Sequence, residues 1–202
     1  QFDHARQNFN TSLPFVWGAY LDGVEYATLQ PGMASVAVFK DGTIKVGTWG
    51  EGELSERTED MIAIRQNGPL MIKDGELTSA IKNEGDVFMW GKLAPNSAGT
   101  VITARSAIGM TKEGNLIIAA ANDMSALSLA KGLQAAGAYT AMQLDINYPW
   151  VQIGVVSDHA ANGTPILKKF MDSMQQNGNK FIGSPQERDL MYITRDDDSR
   201  YK

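Results

Sequence analysis

The sequence predicts an α+β fold, a hairpin-rich mixed or antiparallel sheet packed with two main helices. Three observations predict it. Short apolar runs separated by acid–glycine pairs dominate the first 120 residues. Two later stretches carry apolar residues at helical spacing. Between those stretches an apolar strand ends in an aspartate.

The acid–glycine pairs are Asp22-Gly23, Asp41-Gly42, Asp74-Gly75 and Glu113-Gly114. Such pairs tolerate the positive φ angles of tight turns, so each reads as a hairpin tip. The clearest lies in SVAVFKDGTIKVGTW, where Val36, Val38, Ile44 and Val46 alternate with smaller or polar residues. A first helix is expected from about Ser125 to Ala136, with Gly137 as its left-handed cap. Its apolar face is Ala126, Leu129, Ala130 and Leu133. A second helix is expected from Thr164 as N-cap, with Pro165 in the first turn and Asn177-Gly178 at its end. Its stripe of Ile166, Leu167, Phe170, Met171 and Met174 reads as core packed against the sheet, with no part in a site. TAMQLDI lies between the helices as a strand, and DLMYIT is a further strand near the end. Residues Lys82 to Thr100 are the most loop-like internal stretch. With no fixed-period repeat and no low-complexity linker, 1–202 reads as one domain. The abrupt start at Gln1 suggests a trimmed N-terminus, and residues 196–202 suggest a frayed tail.

With 202 residues, 43% of them hydrophobic, the chain can bury a full core. Net charge is -5 and the 18 basic residues are scattered, whereas a nucleic-acid surface needs a clustered basic stripe. No apolar run approaches the roughly 20 residues that cross a bilayer, so no membrane-spanning segment is expected. The N-terminus lacks the basic start and apolar core of a secretion signal. The absence of cysteine excludes disulfides, thiolate zinc sites and cysteine nucleophiles. The two histidines, His4 and His159, lie far apart without ligand-like partners, which argues against a histidine metal site or a Ser-His-Asp triad. There is no GxSxG elbow, GxGxxG or phosphate-binding loop. No metal is expected, and no cofactor is specified.

The candidate chemistry lies between Arg105 and Trp150. Asp145 interrupts a strand suited to burial, where an ionised carboxylate needs partners. It either bonds loop amides or a buried arginine, or it is catalytic. Arg105, among Ala104, Ser106 and Ala107, either pairs with an acid or holds an anion such as phosphate. Proximity would lower both desolvation costs, so the two are expected to converge in one polar cleft. Asn147, Tyr148 and Trp150 follow on the exposed loop. Gln66 and Asn67 form a turn after MIAIR, and Asn122-Asp123 could cap the first helix.

Taken in order, these residues resemble the phosphodiester glycosidase family. Arg105-Ser106-Ala107-Ile108-Gly109 matches its Arg-[Ser/Thr]-Ala-[Ile/Leu/Val]-Gly step. MTKEGNLIIAAA matches the hairpin that follows, Gly137-Ala138 the helix end, and Leu144-Asp145 the strand end. PGMASVAVFKDGTIKVGTWG and IRQNGPLMIKDGEL are similar to a bacterial branch in which the strand ends as LDIN. The similarity runs over roughly residues 16 to 195. Two departures stand out. Ile146-Asn147-Tyr148-Pro149-Trp150 replaces the glycine run and serines of more familiar members, and Phe9-Asn10-Thr11-Ser12 is at best a remnant of their Asn-Gly-Gly-Phe motif. The resemblance implies an extracytoplasmic hydrolase of glycosyl-1-phosphodiesters in cell-surface or secreted glycans. It assigns Asp145 and Arg105 to catalysis, and Asn67, Gln66, Asn147, Tyr148, Trp150 and Asp123 to substrate binding. The competing expectation is a non-catalytic glycan- or anion-binding module of a larger envelope protein.

Overall fold

A computed structural model of the chain describes residues 18–83, 90, 102–175, 182 and 191–193. All four acid–glycine pairs form hairpin tips. Asp22-Gly23 joins β1 (Ala19–Leu21) to β2 (Val24–Ala27), and Asp74-Gly75 joins β6 (Leu70–Lys73) to β7 (Glu76–Leu77). In both pairs each residue has positive φ, 46° and 87° in the first and 53° and 79° in the second. That combination matches the twist of the flanking strands. Asp41-Gly42 links β3 (Ala34–Phe39) to β4 (Ile44–Thr48), where the Asp41 carboxylate accepts the Thr43 amide at 2.8 Å. Glu113-Gly114 links β8 (Thr103–Thr111) to β9 (Leu116–Met124).

With β5 (Met61–Gln66) and β10 (Ala138–Ile146), these strands build two five-stranded sheets, ordered β2-β1-β5-β3-β4 and β7-β6-β10-β8-β9. Their recorded pairings are antiparallel. Strand alternation divides the apolar residues among layers. Ala34, Val36 and Val46 of the first sheet meet Leu70, Ile108 and Met142 of the second in one core. The outer face of the first sheet buries Tyr20, Ala37, Met61 and Ile64 with Trp49 and Leu54. The outer face of the second sheet carries the helical layer.

That layer consists of α1 (Ser79–Lys82) and α2 (Ala126–Ala135). The second follows the sequence expectation closely. Ser125 caps it by accepting the Ser128 amide at 3.0 Å, which satisfies one otherwise orphaned donor. Gly137 ends it at φ 88°. Ala126, Leu129, Ala130 and Leu133 are all buried against Ala107, Ala141, Met71 and Ile72.

The second expected helix does not form. Pro165–Lys169 is a strand, β12, paired antiparallel with β11 (Gly154–His159) in a separate two-stranded sheet. The turn is set locally: Asn162 Oδ1 accepts the Thr164 amide at 3.0 Å, and Gly163 has φ 80°. The expected apolar stripe is split accordingly. Ile166 is 41% and Phe170 48% exposed, while Met174 is buried. The expectation of a buried Phe170 is therefore wrong, and truncating that ring would open no core cavity. The described residues hold a sheet-dominated fold with one substantial helix, where the sequence suggested two. Met191–Ile193 is not in a strand, and the rest of DLMYIT, Asn177-Gly178 and the acidic tail lie outside the described residues.

One glycine explains part of the Arg-Ser-Ala-Ile-Gly step. A Cβ on Gly109 would sit 2.8 Å from the Thr140 carbonyl oxygen and 3.1 Å from Ala141 Cβ. Any larger residue there would push β8 away from β10, the strand that carries Asp145.

Candidate active site

The site residues gather at one end of the second sheet, where β8 begins and β9 and β10 end. Arg105 is 1% exposed. Its Nε donates to the Met124 carbonyl at 2.9 Å, and Nη1 donates to the Trp90 carbonyl at 2.9 Å and to Gln143 Oε1 at 2.5 Å. The planar guanidinium suits this arrangement, since its donors diverge in fixed directions toward separate acceptors. Arg105 therefore ties together β8, β9, β10 and the segment at Trp90.

Asp145 is exposed, yet its backbone is held. Ser106 Oγ donates to the Asp145 carbonyl at 3.0 Å. Leu144 before it packs at the core between the sheets. The pairing of β10 with β8 shifts register here: Gln143 faces Ala107 and Ile146 faces Arg105. Asp145 thus sits in a β-bulge, a feature that re-aims side chains and recurs beside active sites.

The loop beyond β10 is built from unusual backbone. Asn147 has φ 72° and Asp123, at the end of β9, has φ 47°. Apart from the two aspartates at hairpin tips, these are the remaining non-glycine residues with positive φ among those described. Asn and Asp occupy that region at least cost. Asn147 donates its amide to the Ala104 carbonyl at 2.7 Å, accepts from Thr103 Oγ1 at 3.1 Å, and accepts the amides of Trp150 and Val151. This fold-back buries Val151 against Ala104 and Met174 and leaves Trp150 41% exposed.

The Tyr148 hydroxyl donates to the Asp123 carboxylate, and Asn122 Nδ2 donates to Ser173 Oγ. Asn122 and Asp123 are thus not a helix cap, since Ser125 fills that role; they fasten two later segments to β9. The Asp123 hydrogen bond, with burial and the carboxylate charge adding to it, raises the Tyr148 pKa above the ordinary tyrosine range. A group whose folded pKa is raised contributes stability that is intact below its unfolded value and lost as pH climbs through the folded one. The Tyr148–Asp123 link should therefore hold at neutral pH and fail only in alkali. Phenolate absorbance should show Tyr148 titrating late, together with Tyr139, which a hydrogen bond to Asp74 raises in the same direction, and Asp123→Asn should bring Tyr148 alone back down. An unmoved titration in that variant would contradict the link.

Gln66, expected in a turn, is instead the last residue of β5, and Asn67 follows it. Gln66 is fully buried; its Oε1 accepts the Gln30 amide, and its Nε2 donates to the Gln30 carbonyl and Ser35 Oγ. Both ends of its amide are committed to holding the Gln30 segment on β3 and β5. Asn67 reaches the site: its Nδ2 donates to the carbonyls of Gln143 at 3.1 Å and Leu144 at 2.9 Å.

The structure brings Arg105, Asp123, Asn147, Tyr148 and the Asp145 strand end together and sets Gln66 apart. Sequence reasoning missed Gln143 and Ser106. Gln143 had a signal: a lone amide in the apolar run TAMQLD, two residues before Asp145. Among the described residues no group of three or more His, Asp or Glu could hold a metal, and no helix is long and apolar enough to cross a membrane.

The family profile of the phosphodiester glycosidases matches residues 12–145, more than half of the chain. The protein belongs to the phosphodiester glycosidase family, a family of glycosidase-type hydrolases. The match includes Arg105 and ends at Asp145, so Asn147, Tyr148 and Trp150 lie beyond it. Among solved structures, the chain is similar to the catalytic domain of zebrafish N-acetylglucosamine-1-phosphodiester alpha-N-acetylglucosaminidase, auto-inhibited by its pro-peptide. Identity there is 22%, over 66% of this chain and 46% of that one, with a TM-score of 0.49. It is also similar to a hypothetical protein from Synechocystis, at 16% identity over 59% of this chain and 29% of that one, with a TM-score of 0.30. The chain therefore spans less than half the length of either. No curated protein matches it.

Proposed function

We propose that this protein hydrolyses glycosyl-1-phosphodiesters of cell-surface or secreted glycans outside the cytoplasm, with Asp145 and Arg105 at the centre of the site. The observation that carries this reading is an exposed Asp145 on a pinned strand end, in a bulge beside the strand that bears a buried Arg105. Glycoside cleavage passes through an oxocarbenium-like state and ordinarily needs an acid to protonate the leaving oxygen. A phosphomonoester leaves more readily than a sugar hydroxyl, so that need falls. What remains is to compensate the phosphate charge and to activate water or stabilise the sugar cation. Asp145 takes the second task. Arg105, fixed by its bonds to Met124, Trp90 and Gln143, supplies a positive charge at the base of the site. Trp150 offers an exposed ring for a sugar face, beside a Tyr148 anchored by Asp123 and an Asn147 set by its backbone.

One observation favours the non-catalytic alternative. Arg105 is so buried that its described bonds are internal, which suits a scaffold as well as a phosphate clamp. The two readings separate on sugar release from a glycosyl-1-phosphodiester, for instance one with a p-nitrophenyl group as the second ester. The enzyme should release sugar with saturation kinetics; binding without release would identify a binding module.

A further inference from the structure

The bulge in β10 leaves Leu144 and Asp145 together opposite Ser106, and such an insertion takes backbone groups out of the ladder. Here side chains collect them. Asn67 Nδ2 has two hydrogens and spends them on the carbonyls of Gln143 and Leu144, which exhausts its donors. Ser106 Oγ takes the carbonyl of Asp145. The Gln143 side chain is anchored by Arg105. Asn67 is itself fixed, its amide donating to the Ala34 carbonyl at 3.0 Å while Ala34 donates to the Gly68 carbonyl at 2.8 Å. The strand end is thus gripped from the first sheet by Asn67 and from within the second by Ser106 and Arg105.

We propose that Asn67, Ser106 and Gln143 are positioning residues that hold the β10 bulge and so aim the Asp145 carboxylate, with Asn67 touching the strand instead of the sugar. This rests on the reading of Asp145 as the reacting group. It also reassigns Asn67, which the family resemblance assigned to substrate binding. A residue that grips the sugar sets KM. A residue that grips the strand under a catalytic carboxylate sets kcat, because a misplacement of about 1 Å can cost about 10²-fold in rate.

The decisive variant is Asn67→Asp. It keeps the size of the side chain but faces two carbonyl oxygens with a carboxylate that has no proton to donate at neutral pH. With a glycosyl-1-phosphodiester followed by sugar release, kcat should fall by about 10²-fold while KM stays within about twofold. Ser106→Ala, a one-atom deletion that leaves the strands paired, should lower kcat in the same direction and serves where Asn67→Asp does not fold. A rise in KM at unchanged kcat, or unchanged kinetics in both variants, overturns the proposal. A readout without substrate separates its failure from that of the functional reading. The carboxyl carbon resonance of Asp145, identified by its loss in Asp145→Asn, should shift in Ser106→Ala. If the wild type turns over nothing but this resonance moves, the functional reading fails and the positioning stands; if the wild type is active and the resonance stays put, the positioning fails alone.

Discussion

Asp145→Asn should lower turnover of a glycosyl-1-phosphodiester by about 10²–10⁴, the usual contribution of a positioned acid–base group, at nearly unchanged melting temperature. The side chain is exposed, so replacing a carboxylate oxygen by an amide nitrogen of the same size removes no buried packing. The strand end is held through its carbonyls by Asn67 and Ser106, and those bonds survive the change. Ligand affinity should hold as well, because shape and most hydrogen bonding persist. Rate and melting temperature measured on one variant check the expectation. An unchanged rate with a large drop in melting temperature would make Asp145 structural.

Arg105→Met should have the opposite signature in stability. The variant keeps the volume of the aliphatic stem but strands the Met124 and Trp90 carbonyls and the Gln143 amide oxygen in a site that excludes water. Each orphaned buried acceptor costs about 1–3 kcal/mol, so the loss over the three should be roughly 3–9 kcal/mol in total. Arg105→Lys should recover part of it, since an ammonium restores charge but cannot match three acceptors in a planar fork. Denaturant unfolding of the three proteins checks the order. A methionine variant within about 1 kcal/mol of wild type would show that the network bears little of the fold.

The parts of this molecule legible in its sequence are those decided within a few residues. Asp22-Gly23 and Asp74-Gly75 turn because their backbones accept positive φ, whatever the rest of the chain does. The helix over Ala126–Ala135 carries its own cap at Ser125, its own stop at Gly137 and one apolar face. The failed helix at Thr164 teaches the converse. Its residues fit a 3.6 period, but Asn162-Gly163 is a hairpin turn and Val155-Val156 upstream supplies a β-branched partner strand. The turn signal outranked a periodicity that short strands also satisfy.

For the site, the family motif located Arg105 and Asp145 but not their environments. A strand rich in apolar residues suggested that Asp145 was buried, and the bulge that exposes it arises from register with β8, which no single-strand pattern encodes. Gln66 and Asn67 looked equivalent as neighbours in a turn. Strand alternation sends one into the packing at Gln30 and Ser35, and the turn directs the other onto β10. Arg105 was legible as an isolated charge, but its acceptors come from residues 15, 19 and 38 positions away, and only the tertiary fold assembles them.

The central claim is that this site cleaves the bond between the anomeric carbon and the phosphate oxygen. Turnover of a glycosyl-1-phosphodiester in ¹⁸O-labelled water tests it most directly, because the oxygen of the attacking water marks the atom it joins. The account predicts that the label enters the released sugar, that the phosphomonoester product carries none, and that Asp145→Asn abolishes most of this signal. Label in the phosphate would mean attack at phosphorus, and no labelled product over binding-saturated incubation would mean that the site holds its ligand without reacting; either result contradicts the account.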